Sequence, residues 1–202
     1  MNFEIADTDH AARLGRLRTR HGPISTPVFF PVYYAGVDFG WTTPHYWNVF
    51  PEINTIMLNA SHIMMHSKKK LDHILQEGLK RLIGFDGVSF IDSGGWVYHR
   101  LGLTYSQQQL LDLQEELGAD VASTLDYPIN IMSANGINDI SRSVENAIAA
   151  SKRRRNQKML LFASIHGSDP LVIRNVIRYL DNKGDFDGFA IGSMMRAFSS
   201  FE

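Results

Sequence analysis

The stretch VSFIDSGGWVYHR, residues 88–100, runs an apolar segment into an acid, a serine, two glycines and a tryptophan. Comparable endings recur downstream. DVASTLDYP places Asp126 ahead of Tyr127 and Pro128, MLLFASIHGS places His166, Gly167 and Ser168, and FDGFAIGS places Gly192 and Ser193. Each has a structural reading when taken alone. Asp before glycine or proline caps turns, a lone histidine serves as a hydrogen-bonded structural residue, and a tryptophan such as Trp96 fills a core. Their coincidence at successive strand ends points to chemistry. A carboxylate that accepts N–H groups, bare backbone that donates and accepts, and an aromatic face together suit a flat heterocycle. A purine has N–H donors on one edge, a carbonyl on another and a π-face for stacking. A second acid nearby can serve as general base or nucleophile.

These residues need a scaffold that brings strand ends together. Apolar runs at 27–33, 53–61, 88–92, 120–126, 159–167 and 186–193 lack strict alternation, as strands buried on both faces do. Between them, 68–84, 104–120, 137–156 and 169–184 repeat apolar residues at three- and four-residue steps. Gly84 and Gly118 serve as stops, and Thr104 or Ser106 as an N-cap. Strand and helix in alternation predict a parallel sheet with crossover helices, which binds ligands beyond the carboxyl ends of its strands. Six such strands fall short of the eight, and of the roughly 250 residues, of a closed (β/α)₈ barrel. The expectation is therefore an incomplete barrel or an open doubly wound sheet, in a single domain over 1–202. The segment 3–27, with Gly15 and His21–Gly22 as turn points, reads as a hairpin closing the bottom.

Composition narrows the partners. Lys and Arg number 20 against 21 acids, so net charge does not ask for a polyanion. The one dense basic run, SKRRRNQK, offers Lys152, Arg153, Arg154 and Arg155 either as a solvated helix end or as a nucleic-acid contact. No cysteine is present, which excludes disulfides within these residues. The polar N-terminus lacks a signal-peptide pattern, and no apolar run approaches the ~20 residues of a membrane span. A cytoplasmic location away from membranes is the expectation.

HGPISTPVFFPV, IDSGGW, LGADVASTLDYP, FASIHGSDPLVIR and FDGFAIGS, in this order from about residue 11 to 193, resemble the queuine/archaeosine tRNA-guanine transglycosylases. The resemblance implies a (β/α)₈ TIM-type barrel, with about six of its eight units in this chain. It also implies exchange of a guanine in tRNA for a 7-deazaguanine, a related branch acting on DNA instead. It makes Asp92 the general base, Trp96 the ring that sandwiches the base, and Asp126 the acceptor for the purine N–H edge. His166, followed by Gly167, stands where the family has a Gln-Gly pair that donates to the base carbonyl, and Gly192 matches a glycine whose backbone meets the exocyclic group. His166 for Gln brings titration near neutral pH. Tyr127 replaces a second acid, and Ser193 interrupts a glycine pair. The family's nucleophilic aspartate and its zinc ligands, three Cys and a His, come later than Glu202. The expectation is thus a chain truncated before the last strands, carrying the base-binding half of the site and no cofactor of its own. Expected partners are tRNA or DNA, guanine or a 7-deazaguanine, and either a second chain supplying the rest or a homodimer mate. Two alternatives stand beside this. One is a non-catalytic purine- or nucleic-acid-binding subunit, or an inactive fragment of such an enzyme. The other is a hydrolase holding a divalent ion with Asp92, Asp126 and His166.

Overall fold

The computed structural model describes residues 2–35, 45–128, 136–167 and 169–192. An antiparallel meander opens the chain: β1 (Phe3–Asp9), β2 (Ala12–Thr19) and β3 (Gly22–Thr26). The expected hairpin thus has three strands. Gly15 lies inside β2, opposite Ile5 and Thr26, rather than at a turn. A side chain there would collide with the Phe3 ring, its Cβ falling 2.3 Å from the nearest ring carbon. The turns fall instead at His10–Ala11 and Arg20–His21.

A short helix α1 (Tyr46–Val49) precedes the larger layer. That layer runs β4 (Thr55–Asn59), α2 (Ala60–Met64), α3 (Lys68–Glu77), α4 (Leu79–Ile83), β5 (Val88–Asp92), α5 (Gly95–Arg100), α6 (Gln107–Glu116) and β6 (Val121–Ser123). It continues through α7 (Gly136–Arg153), β7 (Leu160–Ile165), α8 (Pro170–Asp181) and β8 (Gly188–Ile191). The five strands are all parallel and lie in the order β4-β5-β6-β7-β8. The expected strand at 27–33 is reduced to one parallel bridge, Val32 with Met57, beside β4. Pro27 and Pro31 lack the N–H groups that a full ladder needs.

Strand order bears on the two expected sheets. A doubly wound sheet reverses its order at a switch point and carries helices on both faces. Here the order never reverses. Ile56, Leu58, Ile91, Ala122 and Leu161 pack on one face with Ile74, Leu79, Ile83, Leu110, Leu111 and Ala150 from α3, α4, α6 and α7. Ala163 and Ile165 continue that face against Ala147 of α7 and Leu180 of α8. The protein is therefore a mixed α/β fold whose parallel sheet is wound to one side.

The opposite face divides along its length. At the amino ends, Val88, Val121 and Leu160, with Phe90 and Phe162, meet Phe3, Leu17 and Ile24 of the meander. Asp120 anchors that contact. Its fully buried carboxylate accepts from Lys80 Nζ at 2.6 Å and from the Ser89 amide at 2.9 Å, and lies 2.5 Å from His21 Nδ1. Two residues further along each strand the same face turns polar, and there the candidate site begins.

Candidate base-binding site at the carboxyl ends of the strands

Asp92 is the last residue of β5, and Gly94 follows with φ +72°, the left-handed region that favours glycine. That turn aims the Gly94 N–H back at Asp92 Oδ2, 2.9 Å away. It also brings the chain so close to Asn59 that a Cβ on Gly94 would sit 2.1 Å from Asn59 Oδ1. Helix α5 then starts at Gly95 against Asp126, where a Cβ would fall 2.2 Å from Asp126 Oδ1 and 2.4 Å from its carbonyl oxygen. The two glycines are thus the space into which the neighbouring strand ends fit.

Asp126 sits three residues past β6, on a segment tied down from several sides. The Leu125 amide donates to Gln107 Oε1 at 2.5 Å, and the Leu125 carbonyl accepts from Asn146 Nδ2 at 3.0 Å. The Tyr127 amide donates to Ser143 Oγ at 2.9 Å, and Thr124 bonds to Phe162 and Ser164 of β7. Gln107 of α6 and Ser143 and Asn146 of α7 therefore fix the carboxylate that sequence reading singled out.

Two buried serines link the acids. Ser123 Oγ donates to Asp92 Oδ1 at 2.9 Å and accepts the Ser93 amide at 3.0 Å. Ser93 Oγ donates to Asp126 Oδ1 at 2.7 Å and accepts the Gly95 amide at 3.2 Å. On its other side, Asp126 Oδ2 lies 2.8 Å from His166 Nε2. The His166 ring is buried and packs on Gly192, where a Cβ would stand 2.4 Å from the ring. The structure thus joins Asp92, Asp126, His166 and Gly192 in one continuous network from β5 to β8. Gly167 is half-buried beside Ile173 of α8, while Ser168 and Ser193 lie outside the described residues.

Environment separates the two acids. Burial pushes the Asp92 carboxyl above its usual range, and the nearby Asp126 charge pushes it further, more than the bonds from Ser123 and Gly94 bring it down. Burial acts upward on Asp126 too. There the hydrogen bond and charge of His166, with the Ser93 hydroxyl, outweigh it and hold the carboxyl below its usual range. Groups pushed apart in this way are able to divide the work of acid and base. Asp126 stays ionised as an acceptor, and Asp92 has the stronger affinity for a proton.

The other expected residues are placed differently. Trp96 is half exposed on α5, with the Arg100 guanidinium 4.7 Å above its ring. His166 directs Nε2 to Asp126 from a buried position. Asp92, Asp126 and His166 do not form a metal-ligand group: among the described residues no three His, Cys, Asp or Glu converge. Nor do the residues of this chain fit the three-cysteine zinc site the resemblance implies, for the chain has no cysteine.

The basic run lies at the far end of the sheet, since α7 ends there and leads into the start of β7. As a block of nucleic-acid contacts it is corrected by the structure. Arg154 is buried against Asp187 and also meets Asp185 at 3.3 Å, and Arg155 pairs with Asp112 at 2.6 Å and Glu115 at 3.2 Å. These two guanidiniums join α7 to its neighbours, while Lys152 and Arg153 remain exposed.

Comparison with known proteins gives the family of the chain. The sequence pattern of the family described as queuine tRNA-ribosyltransferase matches residues 7–200. The chain belongs to that family. Among curated relatives, the tRNA-guanine(15) transglycosylase of Korarchaeum cryptofilum is 29% identical over 99% of this chain and 34% of its own length. That of Methanosarcina mazei is 28% identical over 98% of this chain and 40% of its own length. The enzyme of the same name from Pyrococcus furiosus is 25% identical over 100% of this chain and 34% of its own length. The chain thus spans about a third to two-fifths of the length of these tRNA-guanine(15) transglycosylases.

Proposed function

We propose that this chain holds the purine in a base-exchange reaction on tRNA, in which a guanine leaves the polynucleotide and another base, guanine or a 7-deazaguanine, takes its place. The observation that carries this reading is the Asp92–Ser123–Ser93–Asp126–His166 network at the carboxyl ends of adjacent strands. Asp126 is an ionised acceptor for the purine N–H edge. Ser93 and His166 each take one of its carboxylate oxygens, and about two of its four lone-pair directions remain for a ligand. The Gly192 backbone borders the same space. Asp92, with its raised affinity for protons, removes the proton that an incoming base must lose before it can attack the sugar. Trp96 covers the base from the helix that follows.

The one-sided winding of the sheet supports a (β/α)₈ barrel, completed by strands that this chain does not contain. In that reading the attacking carboxylate comes from the completing portion, because the Asp126 oxygens are committed to recognition. The names of the relatives favour tRNA over DNA. Supplied with labelled guanine, the chain combined with the remaining portion of a relative incorporates label into tRNA. Incorporation into duplex DNA alone would move the reading to DNA, and incorporation into neither would end it.

A further inference from the structure

Beside the acids lies a second constellation, of which base recognition uses Trp96 alone. Trp96, His99 and Arg100 stand at i, i+3 and i+4 of α5, so they share one face, and all three are exposed. Beside this face, Tyr127 directly follows Asp126. His99 packs on the Tyr127 ring at 4.3 Å between centroids, and the Arg142 guanidinium of α7 lies over it at 3.7 Å. Arg142 Nη2 also donates to the Tyr127 hydroxyl at 2.8 Å. The assembly is tied to the site itself, for His99 Nε2 is 3.2 Å from the Asp126 carbonyl oxygen. Two arginines and three aromatic rings thus form a ladder along the rim, two of its contacts being cation–π pairs.

A ladder of this kind has no evident duty in the core, since Trp96, His99, Arg100 and Arg142 all face solvent. Its chemistry matches single-stranded nucleic acid. Bases stack on aromatic rings and on guanidinium planes, while guanidinium N–H groups hold phosphates. Its place matches too: a base drawn into the Asp126 site leaves its neighbours in the strand at the rim. Asp139 and Glu145 flank Arg142, so recognition here depends on stacking and two directed cations rather than on a broad positive field.

We propose that His99, Arg100, Tyr127 and Arg142, continuing outward from Trp96, form the subsite for the nucleotides flanking the exchanged base, so that α5 and α7 together grip the RNA strand. This inference rests on the base-exchange reading above, and its test separates the two. Affinity for tRNA is measured over a range of salt concentrations for the chain and for the Arg100→Ala/Arg142→Ala double variant, with guanine binding measured in parallel. The double variant loses about tenfold or more in tRNA affinity, its salt dependence falls by about two phosphate contacts, and its guanine affinity does not change. Arg142→Lys, which keeps charge and removes the plane, recovers the salt dependence without the full affinity. Because Arg100 and Arg142 are exposed, unchanged melting temperatures verify folding. Guanine binding with tRNA affinity indifferent to both arginines overturns this inference alone. Absence of guanine binding by the unaltered chain overturns the base-exchange reading and this inference with it.

Discussion

Replacing Gly95 by alanine isolates the contact on which the site geometry depends. Gly95 has no positive φ, so alanine meets no conformational penalty there. As a helical residue alanine gains up to about 1 kcal/mol over glycine. Against that, its Cβ would stand 2.2 Å from Asp126 Oδ1 and 2.4 Å from the Asp126 carbonyl oxygen, so about 1 Å of movement is forced. The carbonyl belongs to a backbone held by Gln107, Asn146 and Ser143 and cannot yield cheaply. Overpacking of this kind costs roughly 1–3 kcal/mol, so the variant loses about 1–2 kcal/mol net, or roughly 2–8 °C in melting temperature for a chain of this size. The forced shift also strains the Ser93–Asp126 bond. Guanine affinity should fall by about ten- to a hundredfold, the scale of one hydrogen bond to a charged group. Gly102→Ala supplies the comparison. It meets nothing within 4 Å and only forces a side chain onto φ +62°, for about 1–2 kcal/mol. The two variants should therefore lose similar stability in urea titrations, while calorimetry finds guanine binding impaired in Gly95→Ala alone. Wild-type affinity in Gly95→Ala, or an equal loss in Gly102→Ala, refutes the reasoning.

Other changes bear on different parts of the structure. Asp120→Asn leaves Lys80 and His21 without their buried anion and should cost about 3–5 kcal/mol in chemical denaturation. Ion and hydrogen bonds hold the Asp120 carboxyl below 3.8 despite burial. Its contribution is therefore complete above that pH and lost as pH falls through the lower folded value, so the variant should lack this part of the acid unfolding. Arg154→Ala takes the buried guanidinium from Asp187, which keeps the Leu161 amide and the Asn2 side chain, and should cost about 3 kcal/mol, whereas exposed Arg153→Ala should change stability by less than about 0.5 kcal/mol. His166→Ala removes the partner that holds the Asp126 carboxyl low, so carboxyl NMR titration should find that acid shifted upward and guanine binding lost from the acid side.

Much of the parallel layer is legible in the sequence because buried strands and amphipathic helices carry strong periodic signals. The run 88–92 coincides with β5, while the other four runs contain β4, β6, β7 and β8 with a few excess residues at the ends. Ser106 caps α6 with a full capping box to Gln109, and Asp169 caps α8 ahead of Pro170. Three features escape a reading by periodicity. Gly78 divides the expected helix at 68–84, and α5 is too short to show a period. PVFFPVY reads as strand from its apolar residues although its prolines cannot donate. In the site, strand-end position singles out Asp92, Asp126, His166 and Gly192, because that position is visible in the sequence. Ser93 and Ser123 look like ordinary small residues, and only contact across strands gives them their linking role. Asp120 has the opposite character: an acid at the head of an apolar strand is a visible signal, but its partners lie about 40 and 99 residues away. The dense arginines mislead for the same reason, since Asp187 and Asp112, which engage two of them, are remote in sequence.

Titration calorimetry of guanine against the unaltered chain and its Asp126→Ala variant reaches the heart of the account. Binding of guanine in preference to adenine, reduced by about tenfold or more in the variant while melting shows it folded, is the predicted result. Equal affinity of both proteins for guanine, or heat from neither, would mean that the linked acids do not hold a purine.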